Sequence, residues 1–190
     1  KIPRLDTIVL SKVIDIIFNK NGGKIYLDII DDNGLNNNAI SINIPSLPEK
    51  PKDPRNRNAD GSGRIVWKAD IEKYLTDSAE IERERKKETN KFMRNKKSFL
   101  NSLKEIMYKD LFDNTDCNNV INYSCQILRQ NDGNKYMFIF SDLKHEVNDT
   151  TQIDCNFKDI SVYVVGYRGE LPCNSIKRIS TVNEIYEKLN

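Results

Sequence analysis

Histidine is nearly missing from this sequence, with His145 alone among 190 residues. A multi-histidine metal cluster is therefore excluded. Cysteine is sparse as well: Cys117, Cys125, Cys155 and Cys173, with no C-x-x-C pair to suggest zinc. Cys117 and Cys125, eight apart on one predicted helix, would be separated by about 12 Å along its axis, beyond disulfide reach. Cys155 and Cys173 flank a predicted strand and are expected toward its opposite ends. The expectation is four reduced thiols and a cytoplasmic protein. The two sequons, Asn122-Tyr123-Ser124 and Asn148-Asp149-Thr150, weigh the other way, although an Asn-rich chain produces them by chance.

No apolar run approaches the ~20 residues of a membrane span. There is no G-x-x-x-x-G-K-[S/T] loop, no G-x-S-x-G, no Ser-His-Asp ordering, and no internal repeat. The opening Lys1-Ile2-Pro3-Arg4 is neither an initiator Met nor a signal peptide, which suggests a fragment. Hydrophobic residues make up 38% and charged residues 31%, the balance of a polar-surfaced globular chain of one domain, with room for an insertion.

The chain is organised around Lys135 to Glu146. Tyr136-Met137-Phe138-Ile139-Phe140 is continuously apolar and stops abruptly at Ser141-Asp142. Such a run reads as a parallel strand buried on both faces. Ligands of open α/β sheets sit beyond the carboxyl ends of their strands, where Asp142 falls. The plainer alternative is that Asp142 only shapes a turn.

Elsewhere, Asp6-Thr7 caps a helix dense in apolar residues (Ile8, Val9, Leu10, Val13, Ile14, Ile16, Ile17, Phe18), and Asn21-Gly22-Gly23 stops it. Two strands follow, Lys24–Asp31 and Ala39–Ile44, expected to pair antiparallel. Pro45 to Gly63 reads as a mobile loop. Residues 65–108 read as helical with a break near Thr76-Asp77-Ser78. Its last part offers Phe92, Met93, Phe99, Leu100, Leu103, Ile106 and Met107 to a core. The preceding residues 80–91 are polar all round save Ile81, as in a helix held by i,i+4 ion pairs or one that meets a partner. Residues 48–109 carry a surplus of six positive charges against a deficit of four elsewhere. Asp113-Asn114-Thr115-Asp116 caps a helix to about Gln130, Ile160–Gly166 forms a second buried strand, and Ser180-Thr181 opens the last helix.

Alternating helices and strands in the second half predict a Rossmann-like, doubly wound α/β fold. Its sheet is expected to be mostly parallel with one antiparallel edge strand, and helices should cover both faces. With Asn114-Thr115-Asp116 before its helix, Phe140-Ser141-Asp142 after its strand and Val162–Gly166 as the next strand, the chain resembles a von Willebrand factor A (vWA)-like domain. The whole of 1–190 would then be one such domain, with a charged insertion at about 45–98. The family's D-x-S-x-S strand is absent, Thr115 lacks the usual preceding glycines, and Asp142 is followed by Leu143 rather than Gly. The resemblance implies a non-enzymatic protein-interaction module. Thr115 and Asp142 would bind a divalent cation, Mg²⁺ or Mn²⁺, which takes a carboxylate from a partner protein; oxygen donors suit such a hard ion. Thr115 as a plain N-cap is the structural alternative.

Two other classes stay open. A hydrolytic enzyme would draw on Asp142, His145, Glu146 and Asp149. A nucleic-acid or acidic-partner binder would use Arg83, Arg85, Lys86, Lys87, Lys91, Arg94, Lys96 and Lys97, but Glu80, Glu82, Glu84 and Glu88 interrupt that patch.

Overall fold

A computed structural model describes residues 5–27, 40–55, 68–107, 116–143 and 151–190. Helix α1 spans Thr7–Asn19. Asp6 caps it, its carboxylate accepting from the amides of Ile8 and Val9 at 2.9 and 2.8 Å. The helix closes in a Schellman-type turn: Asn21 takes a left-handed φ of 74°, and the Gly22 amide reaches the Ile17 carbonyl. Gly22 also has a positive φ, and a Cβ there would lie 2.6 Å from the Ile44 carbonyl oxygen, so only glycine fits the approach.

Strands β1 (Gly23–Leu27) and β2 (Ile40–Ile44) pair antiparallel, as the short polar link between them predicts. They form a separate two-stranded sheet rather than the edge of a larger one. Helix α2 runs unbroken from Lys68 to Met107, 40 residues and about 60 Å. The expected break at Thr76 does not occur, and its hydroxyl instead bonds back to the Glu72 carbonyl at 3.0 Å, within the helix. Helix α3 covers Cys117–Arg129. Strands β3 (Lys135–Ile139), β4 (Ile160–Val165) and β5 (Ile176–Ile179) form a parallel sheet in that order, and α4 (Val182–Leu189) ends the chain behind a Thr181–Glu184 capping box.

The period-two pattern of these strands sorts their side chains into two cores. Met137, Ile139, Ile160, Val162, Val164 and Ile176 meet Cys117, Ile121 and Cys125 of α3 on one face. Tyr163, Val165 and Ile179 meet Ile185 of α4 and Val13 of α1 on the other, with Phe138 stacked 5.4 Å from Tyr163. Helices thus cover both faces of a mixed α/β fold. The central, most buried strand is β4. The stretch around which the sequence is organised, β3, lies at an edge of the described sheet and is only half-buried at Tyr136 and Phe138. Parallel strands need not be central to be apolar when a helix packs on each side.

A third core joins α1, the hairpin and the second half of α2: Leu10, Ile14, Ile42, Ile44, Phe92, Phe99 and Leu103. Helix α1 is therefore shared, presenting Val13 to the parallel sheet and Ile14 to α2. Two residues expected in the core are outside it, Ile8 at 77% exposure and Met93 at 52%.

Residues 45–53 carry no helix or strand, in line with the expected loop, and residues 56–63 of that expectation lie outside the described residues. Residues 45–55 form a strap along the first half of α2. Its contacts run antiparallel to the helix: Arg85 Nη1 donates to the Pro48 carbonyl, Lys50 pairs with Glu82 at 3.2 Å, and Arg55 feels Tyr74. Pro45, Pro48, Pro51 and Pro54 recur every three residues, the period of a polyproline II helix, so they share one face. All four are less exposed than Ser46, Glu49, Lys50, Lys52 and Arg55 between them. The polar half of α2 is thus bordered by a strap, and the i,i+4 ion pair described on it, Lys68–Glu72, lies before residues 80–91.

The cysteines also depart from expectation. Cys155 and Cys173 form a disulfide, with Cα atoms 5.6 Å apart. Because β4 and β5 are parallel, the chain must return to the amino end of β4 before entering β5. That return carries Cys173 back to the side where Cys155 waits. Only Cys117 and Cys125 are free thiols, both buried. An oxidised pair is the habit of oxidising compartments, so the cytoplasmic expectation loses its cysteine argument.

Candidate functional site

The carboxyl end of β3 brings together the end of one strand and the start of one helix. Asp142 follows β3 by three residues, and Asp116 caps α3. Asp116 is 6% exposed, and its carboxylate accepts from the Asn119 amide at 3.2 Å and the Asn119 Nδ2 at 2.8 Å. Cys117 is fully buried beside them. Burial pushes its thiol up to about 11, contact with Ser141 opposes the shift, and the negative charges of Asp142 and then Asp116 add to it. Those couplings place Ser141, Asp142, Asp116 and Cys117 in one neighbourhood. The Ser141 hydroxyl accepts the Leu143 amide at 3.0 Å, forming a tight turn.

Leu143 within that turn has a φ of 56°, the left-handed region that favours glycine. A leucine kept there is over-determined by its packing against the α3-side core. Asp142 is thereby fixed beyond the strand end rather than trailing into a loose loop.

Thr115 lies outside the described residues, as do His145, Glu146 and Asp149; of the candidate metal ligands and catalytic groups, Asp142 is the one placed. Asp116 and Cys117, not singled out as site residues from the sequence, join it. Their signal was present in the capping run, but only strand order shows which end of the sheet it faces. Among the described residues no group of three or more His, Cys, Asp or Glu side chains is arranged to hold a metal ion.

The basic stretch of α2 is partly consumed internally. Lys96 is 8% exposed and pairs with Asp15 at 2.6 Å, and Arg85 is spent on the strap. Asn122 of the first sequon is likewise engaged: its Nδ2 donates to the Gln152 carbonyl at 2.9 Å and its Oδ1 accepts from the Asp154 amide at 2.8 Å. Asn148 of the second sequon lies outside the described residues. No described helix is long and apolar enough to cross a membrane.

Comparison with known proteins returned no matching family model, no matching curated protein and no matching solved structure.

Proposed function

We propose that this chain is a non-enzymatic protein-interaction module of vWA type. It presents the carboxyl end of its parallel sheet to a partner protein and takes a partner carboxylate through Mg²⁺ or Mn²⁺ held by Asp142 and Thr115. The observation that supports this reading is the turn at Asp142. The aspartate stands just past a parallel strand, beside the capped start of α3, and is followed by a left-handed residue where the family has glycine. A cation at that place would meet oxygen donors, the set that hard divalent ions prefer.

The measurement is the melting temperature with and without millimolar Mg²⁺ or Mn²⁺, beside Asp142→Ala and Thr115→Val. A ligand that binds only the native state raises the midpoint, and the stabilisation grows with the logarithm of its concentration above the dissociation constant. The expected result is a rise in the parent chain that both substitutions abolish. An unchanged midpoint at saturating ion would discard the cation-dependent reading.

A further inference from the structure

A groove of about 590 Å³ runs between α1 and the second half of α2, and Asp142 is not among its lining residues. The two helices are antiparallel along it: Phe18 stacks on Phe92 at one end, and Asp15 pairs with Lys96 one turn further on. Met93, Lys97, Leu100 and Lys104 contribute from α2 at the i, i+4, i+7, i+11 spacing of a single helix face. Ile8 and Lys12 contribute from α1.

Two features of this groove are out of keeping with an ordinary surface. Its apolar groups are exposed although a core lies directly beneath them: Ile8 at 77% and Met93 at 52% are two of the most exposed large hydrophobic side chains described. Its charge is also one-sided. Asp15, the single acid of the lining among the described residues, is already paired with Lys96, which leaves Lys12, Lys97 and Lys104 to set the sign. Lys12 is held in place over the Tyr186 ring, 4.1 Å from its centroid.

We propose that this groove docks an acidic, amphipathic helix of another protein. The apolar floor takes aliphatic anchors and the three lysines take flanking carboxylates. The α2 side of the lining, Met93 to Lys104, is about 16 Å long and accommodates about three turns of helix. A channel bounded by two antiparallel helices matches a rod-shaped partner better than the plane of a bilayer. Among the described residues no aromatic side chain lines the groove to stack a base, so a nucleic acid finds only the charge. Charge complementarity sets the orientation and the rate of encounter, and the apolar anchors set the lifetime.

The test uses the full chain and a fluorescein-labelled three-turn peptide, with leucines at i, i+3, i+4 and i+7 and glutamates on their flanks, read by fluorescence anisotropy. Saturable binding is expected, weakening roughly tenfold in Lys97→Glu/Lys104→Glu and by a similar factor in Met93→Asp. Circular dichroism melts of both variants should match the parent, since all three positions are exposed. Equal binding of a peptide with lysines in place of the glutamates would overturn the proposal, as would indifference to both variants. Two other occupants are read in parallel. Self-association of the chain in sedimentation, lost in Lys97→Glu/Lys104→Glu, would assign the groove to a second copy instead. Tighter binding to phosphatidylserine vesicles than to the peptide would assign it to a membrane surface.

Discussion

The rings of Phe18 and Phe92 stack 4.6 Å apart and within 10° of parallel, one from the last turn of α1 and the other from the middle of α2. Phe92 is where α2 changes character. Before it the helix is strapped by prolines, and after it the helix is packed into a core with Leu10, Ile14, Ile42 and Ile44. Phe92→Ala should therefore cost about 3–5 kcal/mol, the range for deleting a buried aromatic ring. Phe18→Leu, which keeps apolar volume at a half-buried position, should cost less. Urea unfolding followed by circular dichroism separates the two, and equal losses would deny Phe92 its place in the core.

The Cys155–Cys173 bridge closes a loop of 18 residues that carries β4 and the return to β5. Loop-closure entropy for that length corresponds to about 3 kcal/mol. Cys155→Ser/Cys173→Ser, or reduction of the native chain, should lower stability by about that amount. Mass spectrometry of the alkylated chain with and without reductant should find two protected cysteines that reductant exposes.

Cys117 and Cys125 should be inert thiols at neutral pH. Burial raises each to about 11 from an ordinary 9. A folded-state value above the unfolded one means that the native chain holds its proton longer. The stabilisation is complete below pH 9 and is lost as pH rises toward 11. Reaction with iodoacetamide at pH 7.5 should track global unfolding, and the melting temperature should fall across the alkaline window. In Cys117→Ala/Cys125→Ala that alkaline fall should be shallower.

Ser78 lies on α2 with its hydroxyl buried and without a hydrogen-bond partner among the described residues. An orphaned buried hydroxyl costs free energy, and serine is a poorer helix former than alanine. Ser78→Ala should stabilise the chain by about 1 kcal/mol, read as a higher urea midpoint at unchanged slope.

Removing one member of the Lys96–Asp15 pair should be asymmetric. The Lys96 side chain is 10% exposed and that of Asp15 53%. Asp15→Ala leaves a buried ammonium unpaired and should cost about 3 kcal/mol, whereas Lys96→Met leaves an aspartate that water can reach and should be far milder. Denaturant titration of both variants checks the order.

Much of the local structure could be read from residues alone, because its causes are local. Asp6 before an apolar run, Asn21-Gly22 after it, the alternation of Ile40–Ile44 and the Thr181-to-Glu184 spacing each impose a conformation through bonds within a few residues. The parallel pairing of β3 with β4 also followed from the alternation of elements. Asp142 could be placed beyond a strand end for the same reason: an apolar run that stops at Ser-Asp marks where the chain leaves the sheet.

What tertiary structure alone decided depends on where distant segments meet. That Ile8 and Met93 stay outside while Val9 and Phe92 go inside is set by which helix lies opposite, not by hydrophobicity. The four prolines announce a three-residue period, yet only the presence of α2 turns them from a loop into a strap. The disulfide arises because a parallel crossover returns Cys173 to the amino end of β4, a consequence of strand direction that cysteine spacing does not encode. The meeting of Cys117 with Ser141 and Asp142, 24 and 25 positions on along the chain, is of the same kind. Local sequence fixes the torsions of a segment, while burial, pairing and charge environment belong to the neighbours that the fold supplies.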